Sequence, residues 1–104
     1  MIEIRFSSEA LSDLQQAQNY ITEELCSESA AIHTISVIVK RIRTLSEFPE
    51  AGASLSAIVG FDTGYRYLVC GNYNVFYLYE HHTVHIMRVL YSRRDFMRIL
   101  FDTE

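Results

Sequence analysis

The chain has 104 residues, of which 49% are hydrophobic and 21% are charged, and its formal net charge is −4. That length and apolar content suffice for a single globular domain over residues 1–104, without disulfide or metal staples. No apolar run approaches the roughly 18 residues that a membrane-spanning helix needs, and the N-terminus lacks the pattern of a secretory signal. Cys26 and Cys70 lack metal-binding spacing. We therefore expect a cytoplasmic protein with reduced thiols and no membrane partner.

Charge divides the chain into two unlike parts. Residues 1–62 carry four Lys or Arg against nine Asp or Glu, whereas residues 63–101 carry five Arg against Glu80 and Asp95. A small basic segment on an acidic protein indicates a local site for an anion or an acidic peptide. It does not indicate a general nucleic-acid-binding protein, whose basic surface is usually far larger.

The first half predicts one strand and two helices. The first six residues alternate apolar and charged side chains, as in a strand with one buried face. An amphipathic helix follows, capped by Ser7 or Ser8, and a second helix begins after Ser27 and ends at Pro49. Because only one or two residues separate the helices, they should form an antiparallel hairpin. The residues predicted to face inward are Leu11, Leu14, Ala17, Ile21 and Leu25 in the first helix, and Ile32, Ile35, Ile38, Val39, Ile42 and Leu45 in the second.

The second half predicts three strands and a last helix. Residues 65–70, 73–80 and 83–91 are rich in aromatic and β-branched side chains, and two-residue turns separate them. Such short turns join antiparallel strands only. Residues 50–64 are predicted to form a surface loop with a short strand or turn at 56–59. The last helix opens at Arg93-Arg94-Asp95, with Phe96, Ile99 and Leu100 facing inward.

The element order β-α-α-β-β-β-α predicts an α+β fold in two layers, with the helical hairpin packed on one face of a mostly antiparallel, twisted sheet. The N-terminal strand has no sequence neighbour to pair with. It must therefore join the three-stranded meander at an edge or insert into it.

The candidate functional residues lie in the second half. Arg66 and Arg88 fall within strands, where an arginine needs a carboxylate or solvent, so each is either a functional cation or one partner of an ion pair. Arg88 is predicted to share its face with Ile86 and Leu90. Arg93 and Arg94 follow the last strand, at a junction where exposed groups are commonly displayed. His81, His82 and His85 cluster without a firm third ligand, so we expect neither a metal nor another cofactor.

Two patterns resemble the RelE/ParE superfamily of bacterial toxins. They are R-x-L-x-x-G-N-Y-x-V-F-Y from Arg66 to Tyr77, and V-x-I-x-R-V-L-Y-x-R-R-D-F from Val84 to Phe96. The N-terminal strand and the L-x-x-F-P that ends the second helix fit too, so the resemblance covers nearly the whole chain. It implies a growth-inhibiting or plasmid-stabilising toxin of a type II toxin–antitoxin system, held inactive by a cognate antitoxin encoded beside it.

The resemblance leaves two branches with different mechanisms. RelE-like members are ribosome-dependent mRNA endoribonucleases, whose sheet lysines and arginines and C-terminal tyrosine would neutralise phosphate charge and assist the ribose 2′-hydroxyl. Arg66 stands at the first of these positions and Arg93 at the late arginine, which makes them the catalytic candidates of that branch. Leu68, Asn74 and Ile99 stand at or near the other three positions, so those ribonuclease groups are missing.

The ParE-like branch, which inhibits DNA gyrase by binding, fits better. With one lysine and a pI near 5.5, the chain is electrostatically poorly suited to docking on a ribosome. The expected partners are a cognate antitoxin and DNA gyrase, with the ribosome and mRNA as the alternative, and the toxin can form a homodimer or a hetero-oligomer with its antitoxin. The predicted target-binding residues are Arg66, Arg88, Tyr91, Arg93, Arg94 and Phe96.

Overall fold

The computed structural model describes residues 2–101 and contains a five-stranded sheet flanked by helices. The strands are β1 (Glu3–Phe6), β2 (Ala53–Ser54), β3 (Tyr65–Cys70), β4 (Tyr73–Glu80) and β5 (Thr83–Tyr91), and the helices are α1 (Ser8–Glu24), α2 (Glu28–Arg43), α3 (Ser56–Val59) and α4 (Phe96–Phe101), with a 3₁₀ turn at Thr44–Ser46. Over these residues, no helix is long and apolar enough to cross a membrane.

The sheet has the strand order β1-β5-β4-β3-β2. β1 takes an edge position parallel to β5, while every other neighbouring pair is antiparallel. The α+β class and the mostly antiparallel sheet are therefore confirmed. The N-terminal strand joins at an edge, one of the two possibilities that the sequence left open.

Two tight turns close the meander. Gly71 adopts a positive φ of 60°, and His81 and His82 adopt positive φ values of 52° and 60°. Two successive left-handed residues between antiparallel strands are the requirement of a type I′ hairpin, whose twist matches that of the strands. These histidines therefore have a conformational role, and within residues 2–101 no three His, Cys, Asp or Glu side chains are grouped to hold a metal ion.

The helical hairpin forms as predicted, and Ala17, Ile21, Ile38, Ile42 and Leu45 are buried as predicted, but each helix is turned slightly toward its alanine face. Serine side chains cap both helices, Ser7 accepting from the backbone N–H of Ala10 and Ser27 from that of Ala30. The buried residues are Ala10, Asp13, Ala17 and Ile21 on α1, and Ala31, Ile38 and Ile42 on α2. Leu11, Leu25 and Ile32, predicted to lie inside, are each more than half exposed.

The alanines explain this rotation. Small side chains let two backbones approach closely, so the alanine faces of α1 and α2 lie inward, where the larger isoleucines then fill the remaining space. The main core lies between this hairpin and one sheet face, and includes Leu68, Cys70, Val75, Tyr77, Val84, Ile86 and Val89.

The opposite sheet face carries a second, smaller core. Leu55, Phe76 and Leu90 are its buried centre, and residues of α3 and α4 pack on it. The inward-facing Phe96, Ile99 and Leu100 of α4 are among them, as predicted. The segment from 56 to 59, expected as a strand or turn, forms the helix α3, and the short strand of this loop is β2 instead.

A buried tyrosine fixes the start of that loop. The Tyr77 hydroxyl accepts a hydrogen bond from the Gly52 N–H at 2.8 Å and donates one to the Pro49 carbonyl oxygen at 2.9 Å. A methyl group on Gly52 would lie 2.6 Å from this hydroxyl oxygen and 2.8 Å from the Tyr67 carbonyl oxygen. Glycine is required here because the loop backbone passes directly over the tyrosine.

Removing this hydroxyl should cost stability. Tyr77→Phe leaves a buried N–H and a carbonyl without their partner, so we expect a loss of about 1–3 kcal/mol in the free energy of unfolding by urea. Tyr79→Phe, a half-buried tyrosine packed against the same core, is the matched control and should change little. Equal effects of the two substitutions would contradict the role given to the Tyr77 hydroxyl.

Candidate target-binding surface

A β-bulge in the middle of β5 organises the candidate site. β4 and β5 pair residue by residue except between Phe76 and Tyr77, which lie opposite Arg88 and Ile86, so Met87 has no partner. The extra residue breaks the alternation of faces. Val89 consequently joins the main core with Ile86, whereas Leu90, predicted to share the face of Arg88 and Ile86, belongs to the second core.

The N-terminus of α1 is attached at this bulge. The Ser7 N–H donates to the Ile86 carbonyl oxygen at 2.9 Å, and the Ser7 hydroxyl donates to the Met87 carbonyl oxygen at 2.8 Å. The same hydroxyl oxygen accepts from the Ala10 N–H as the helix cap. One serine thus ends β1, starts α1 and binds the irregular part of β5.

Asp13 and Arg88 form the central ion pair of this region. Arg88 Nε and Nη2 donate to the two carboxylate oxygens of Asp13, each at 2.8 Å, and the Val89 N–H donates to the same carboxylate at 2.9 Å. Hydrogen bonding to Asp13 raises the pKa of Arg88 above its ordinary value, so the guanidinium stays charged. Asp13 is the one charged side chain that is buried in the described part of the chain.

Arg88 is therefore one partner of an ion pair, which was one of the two interpretations that the sequence allowed. The sequence did not identify its partner, Asp13. The available signal was its place between Ala10 and Ala17 on what proves to be the buried face of α1. An aspartate on a buried helix face needs a buried partner, and Arg88 was the strand residue that needed a carboxylate.

Tyr91, Arg94 and Arg88 line two neighbouring grooves, Tyr91 the first, Arg88 the second and Arg94 both. A cavity of about 310 Å³ is lined by Asp13, Gln16, Ala17, Tyr20, Tyr73, Val89, Leu90, Tyr91 and Arg94. A neighbouring groove of about 510 Å³ is lined by Arg88, Arg94, Asp95, Arg98 and Ile99. The Tyr73 and Tyr91 rings meet edge to face with their centroids 5.7 Å apart. Tyr20, Gln16 and Arg98 are further members that the sequence did not single out.

The other three predicted residues have different surroundings. Phe96 stacks on Phe76, with ring centroids 5.4 Å apart, and belongs to the second core. Arg93 is exposed and lines neither cavity. Arg66 donates through Nη1 to the carbonyl oxygens of Gly52 at 2.8 Å and Glu50 at 3.2 Å, so it holds the loop that Tyr77 also binds.

The structure does not bring Arg66 and Arg93 together. Arg66 lies opposite Tyr77, whereas Arg93 follows the row that joins Cys70, Tyr73 and Tyr91. These rows are four residue steps apart on β3, about 13 Å along the strand. The two arginines therefore start from different rows, and Arg66 is held at its own row by the carbonyl oxygens of Glu50 and Gly52.

The ion pair should carry much of the stability of this region. Asp13→Asn keeps the shape of the side chain but removes its charge, so the partly buried guanidinium of Arg88 loses its counter-ion. We therefore expect a loss of about 2–3 kcal/mol in the free energy of unfolding. Glu3→Gln, which breaks the exposed pair between Glu3 and Arg5, is the control and should leave the urea midpoint unchanged. If both variants unfold alike, the pair between Asp13 and Arg88 is not a main stabilising contact.

Comparison with known proteins bears on this architecture. The family model for the ParE toxin of the type II toxin–antitoxin system parDE matches residues 4–96. A solved structure of the chromosomal ParDE toxin–antitoxin system from P. aeruginosa has a similar fold, with a TM-score of 0.74 at 17% sequence identity, covering 88% of this chain and 96% of that chain. The search of curated proteins finds no match. Because the family model spans most of the sequence, the chain belongs to the ParE toxin family of type II toxin–antitoxin systems.

Proposed function

We propose that this toxin stops bacterial growth by binding and poisoning DNA gyrase, and that a cognate antitoxin neutralises it. The observation that carries the proposal is the separation of Arg66 from Arg93, the two candidates for ribonuclease chemistry. Arg66 is bound to loop carbonyls, and Leu68, at the position of a ribonuclease lysine, is buried in the main core. A binding mechanism needs no such catalytic group.

The end of β5 supplies a surface for binding the target. Tyr91 is 40% exposed, and Arg93 and Arg94 are exposed in the turn that joins β5 to α4. The Arg94 N–H donates to the Tyr91 carbonyl oxygen at 2.9 Å, and the Ser92 N–H donates to the Asn72 carbonyl oxygen at 2.8 Å. Because hydrogen bonds fix this turn, its side chains are presented with little loss of backbone entropy on binding. Phe96 supports the surface from inside.

The helical hairpin supplies a surface for the antitoxin. Leu11, Leu25 and Ile32 are each more than half exposed on the hairpin, and exposed apolar side chains such as these are what a protein interface covers. An amphipathic helix that covers these residues would bury them, and a stable pair would bury about 1,200 Å² or more in total. The parallel edge strand β1 offers a second place where an extended antitoxin segment can pair.

The gyrase proposal is tested with single charge changes. We expect Arg93→Ala and Arg94→Ala together to abolish inhibition of gyrase supercoiling and growth arrest, because they remove exposed cations from the target surface. Surface substitutions of this kind usually change stability by only about 0.5 kcal/mol, so the melting temperature should stay unchanged. Arg43→Ala, another exposed arginine but on α2, is the matched control and should remain toxic.

The double variant must still bind antitoxin, because this control shows that it is folded. Two outcomes would then contradict the gyrase proposal. Full inhibition by the double variant would place the target contact elsewhere. Cleavage of translated mRNA in induced cells, while gyrase remains active, would replace the gyrase proposal with the ribonuclease alternative.

The antitoxin surface is tested with a pair of equally exposed isoleucines. Ile32 on α2 and Ile58 on α3 are both 55% exposed but belong to different faces of the molecule. Ile32→Glu should weaken antitoxin binding at least tenfold in a titration, because a charge would be buried in an apolar interface. Ile58→Glu should bind as the unmodified toxin does. The opposite ranking would move the antitoxin to the face covered by α3 and α4.

A further inference from the structure

The cavity beside α1 and the basic groove beside α4 are neighbours that share one lining residue. Arg94 lines both of them, so a ligand in the cavity that reaches Arg94 contacts a residue of the groove. The cavity is apolar at its base, where Ala17, Val89 and Leu90 lie, and aromatic at its sides. Its volume of about 310 Å³ lies at the lower end of the range for small-molecule sites.

Three tyrosine side chains converge in the cavity. Tyr73 is almost fully buried, whereas Tyr91 and Tyr20 are 40% and 58% exposed. The Tyr73 and Tyr91 rings meet with their centroids 5.7 Å apart, and all three tyrosines line the cavity. Burial raises the pKa of the Tyr73 phenol, and the phenols of Tyr91 and Tyr20 raise it further. Gln16 adds an amide that donates to Ser12 and keeps its carbonyl oxygen available as an acceptor. The cavity thus combines apolar walls with a group of hydrogen-bonding atoms.

The groove supplies positive charge. Arg88 is already neutralised by Asp13, and the Asp95 carboxylate accepts a hydrogen bond from the Arg98 N–H at 3.3 Å, as a cap of α4. The guanidinium groups of Arg94 and Arg98 form no ion pair within residues 2–101. Arginine presents a planar set of donors that suits the oxygens of a phosphate.

We propose that this surface binds one nucleoside monophosphate unit, with the base in the tyrosine cavity and the phosphate on Arg94 and Arg98. The unit can be a free nucleotide or a single unpaired nucleotide of a DNA strand. A base has flat apolar faces and a polar edge, so it can contact the tyrosine rings and their hydroxyls together. The binding concerns the toxin alone and does not depend on gyrase as the target.

A peptide anchor fits the same surface less well. An aliphatic or phenyl side chain would occupy the apolar walls but would face the tyrosine hydroxyls and the Gln16 carbonyl with no hydrogen-bonding group. Polar groups that are buried without partners cost binding free energy. The volume is also sufficient for one base and too small for two stacked bases with their sugars, so binding should be limited to one nucleotide unit.

The test measures binding to the purified full-length toxin. Fluorescence anisotropy of a 5′-labelled tetradeoxythymidylate and saturation-transfer NMR of thymidine monophosphate are the two probes. We expect Arg94→Ala to weaken oligonucleotide binding about tenfold and to lower the slope of log K against log salt by about 0.7, as for one lost phosphate contact on a single strand. Arg93→Ala, the adjacent exposed arginine outside both cavities, is the matched control and should bind normally.

A second pair of variants tests the cavity. Tyr20→Ala removes a largely exposed ring and should weaken binding about tenfold, in the range that loss of one base-stacking contact produces. Phe48→Ala, which truncates an equally exposed ring elsewhere, should have no effect. Circular dichroism of each variant confirms that it is folded.

Each result decides the proposal. Binding of both probes supports a free nucleotide as ligand, and binding of the oligonucleotide alone supports a DNA strand. Failure of both probes to bind at millimolar concentration overturns the proposal, as does equal binding by Arg94→Ala and Arg93→Ala. Displacement of the probes by a glutamate-rich peptide at lower concentration would overturn it too, because the surface would then be a peptide site. None of these results alters the outcome of the gyrase assay.

Discussion

The ion pair between Asp13 and Arg88 is the contact on which the arrangement of this toxin most depends. It joins the first helix to the last strand, two elements 75 residues apart in the sequence. The third hydrogen bond, from the Val89 N–H to the Asp13 carboxylate, satisfies a backbone group near the bulge in β5. Three hydrogen-bond donors offset the cost of removing the Asp13 carboxylate from water, so this charge can be buried in an apolar region.

The bulge and the ion pair occur at neighbouring residues of β5, and the bulge sets the directions of the side chains there. Without the extra residue, Arg88 would stay in strict alternation with Ile86, and Val89 would face away from the helical hairpin. With it, Val89 enters the main core and Leu90 is free to enter the second core, so one irregularity lets β5 serve both faces. The charge pair lies where the edge strand β1 has ended and α1 begins, which is where a long arginine side chain can reach a helix.

Most of the fold could be predicted from the sequence because its signals are local. The strand boundaries, both turns, the serine caps and the helical hairpin follow from residues that are close in the chain. The inward faces of α1 and α2 were assigned only in part, because the burial of alanines in place of Leu11 and Ile32 depends on how closely the helices pack. The bulge has no local signal either, since no glycine or proline marks Met87.

The candidate site was predicted in part for the same reason. Arg88, Tyr91 and Arg94 were found because they are polar or aromatic residues in an otherwise apolar strand and its exit. Tyr20 was missed because it comes from a helix whose orientation the sequence does not fix. Arg66 was grouped with Arg93 because both match cationic positions of the ribonuclease branch, but their separation depends on the register, which only the assembled sheet defines.

The parallel pairing of β1 with β5 affects when the sheet is completed as the chain is synthesised and folds. Glu3 lies opposite Thr83 and Phe6 opposite Ile86, so the first strand cannot pair in the sheet until β5 has been synthesised. Contacts between such distant segments close the largest loop in the chain and form late in folding. A nascent chain that has not yet exposed β5 therefore lacks the finished sheet. The order of the strands alone places completion of the sheet after synthesis of the helical hairpin.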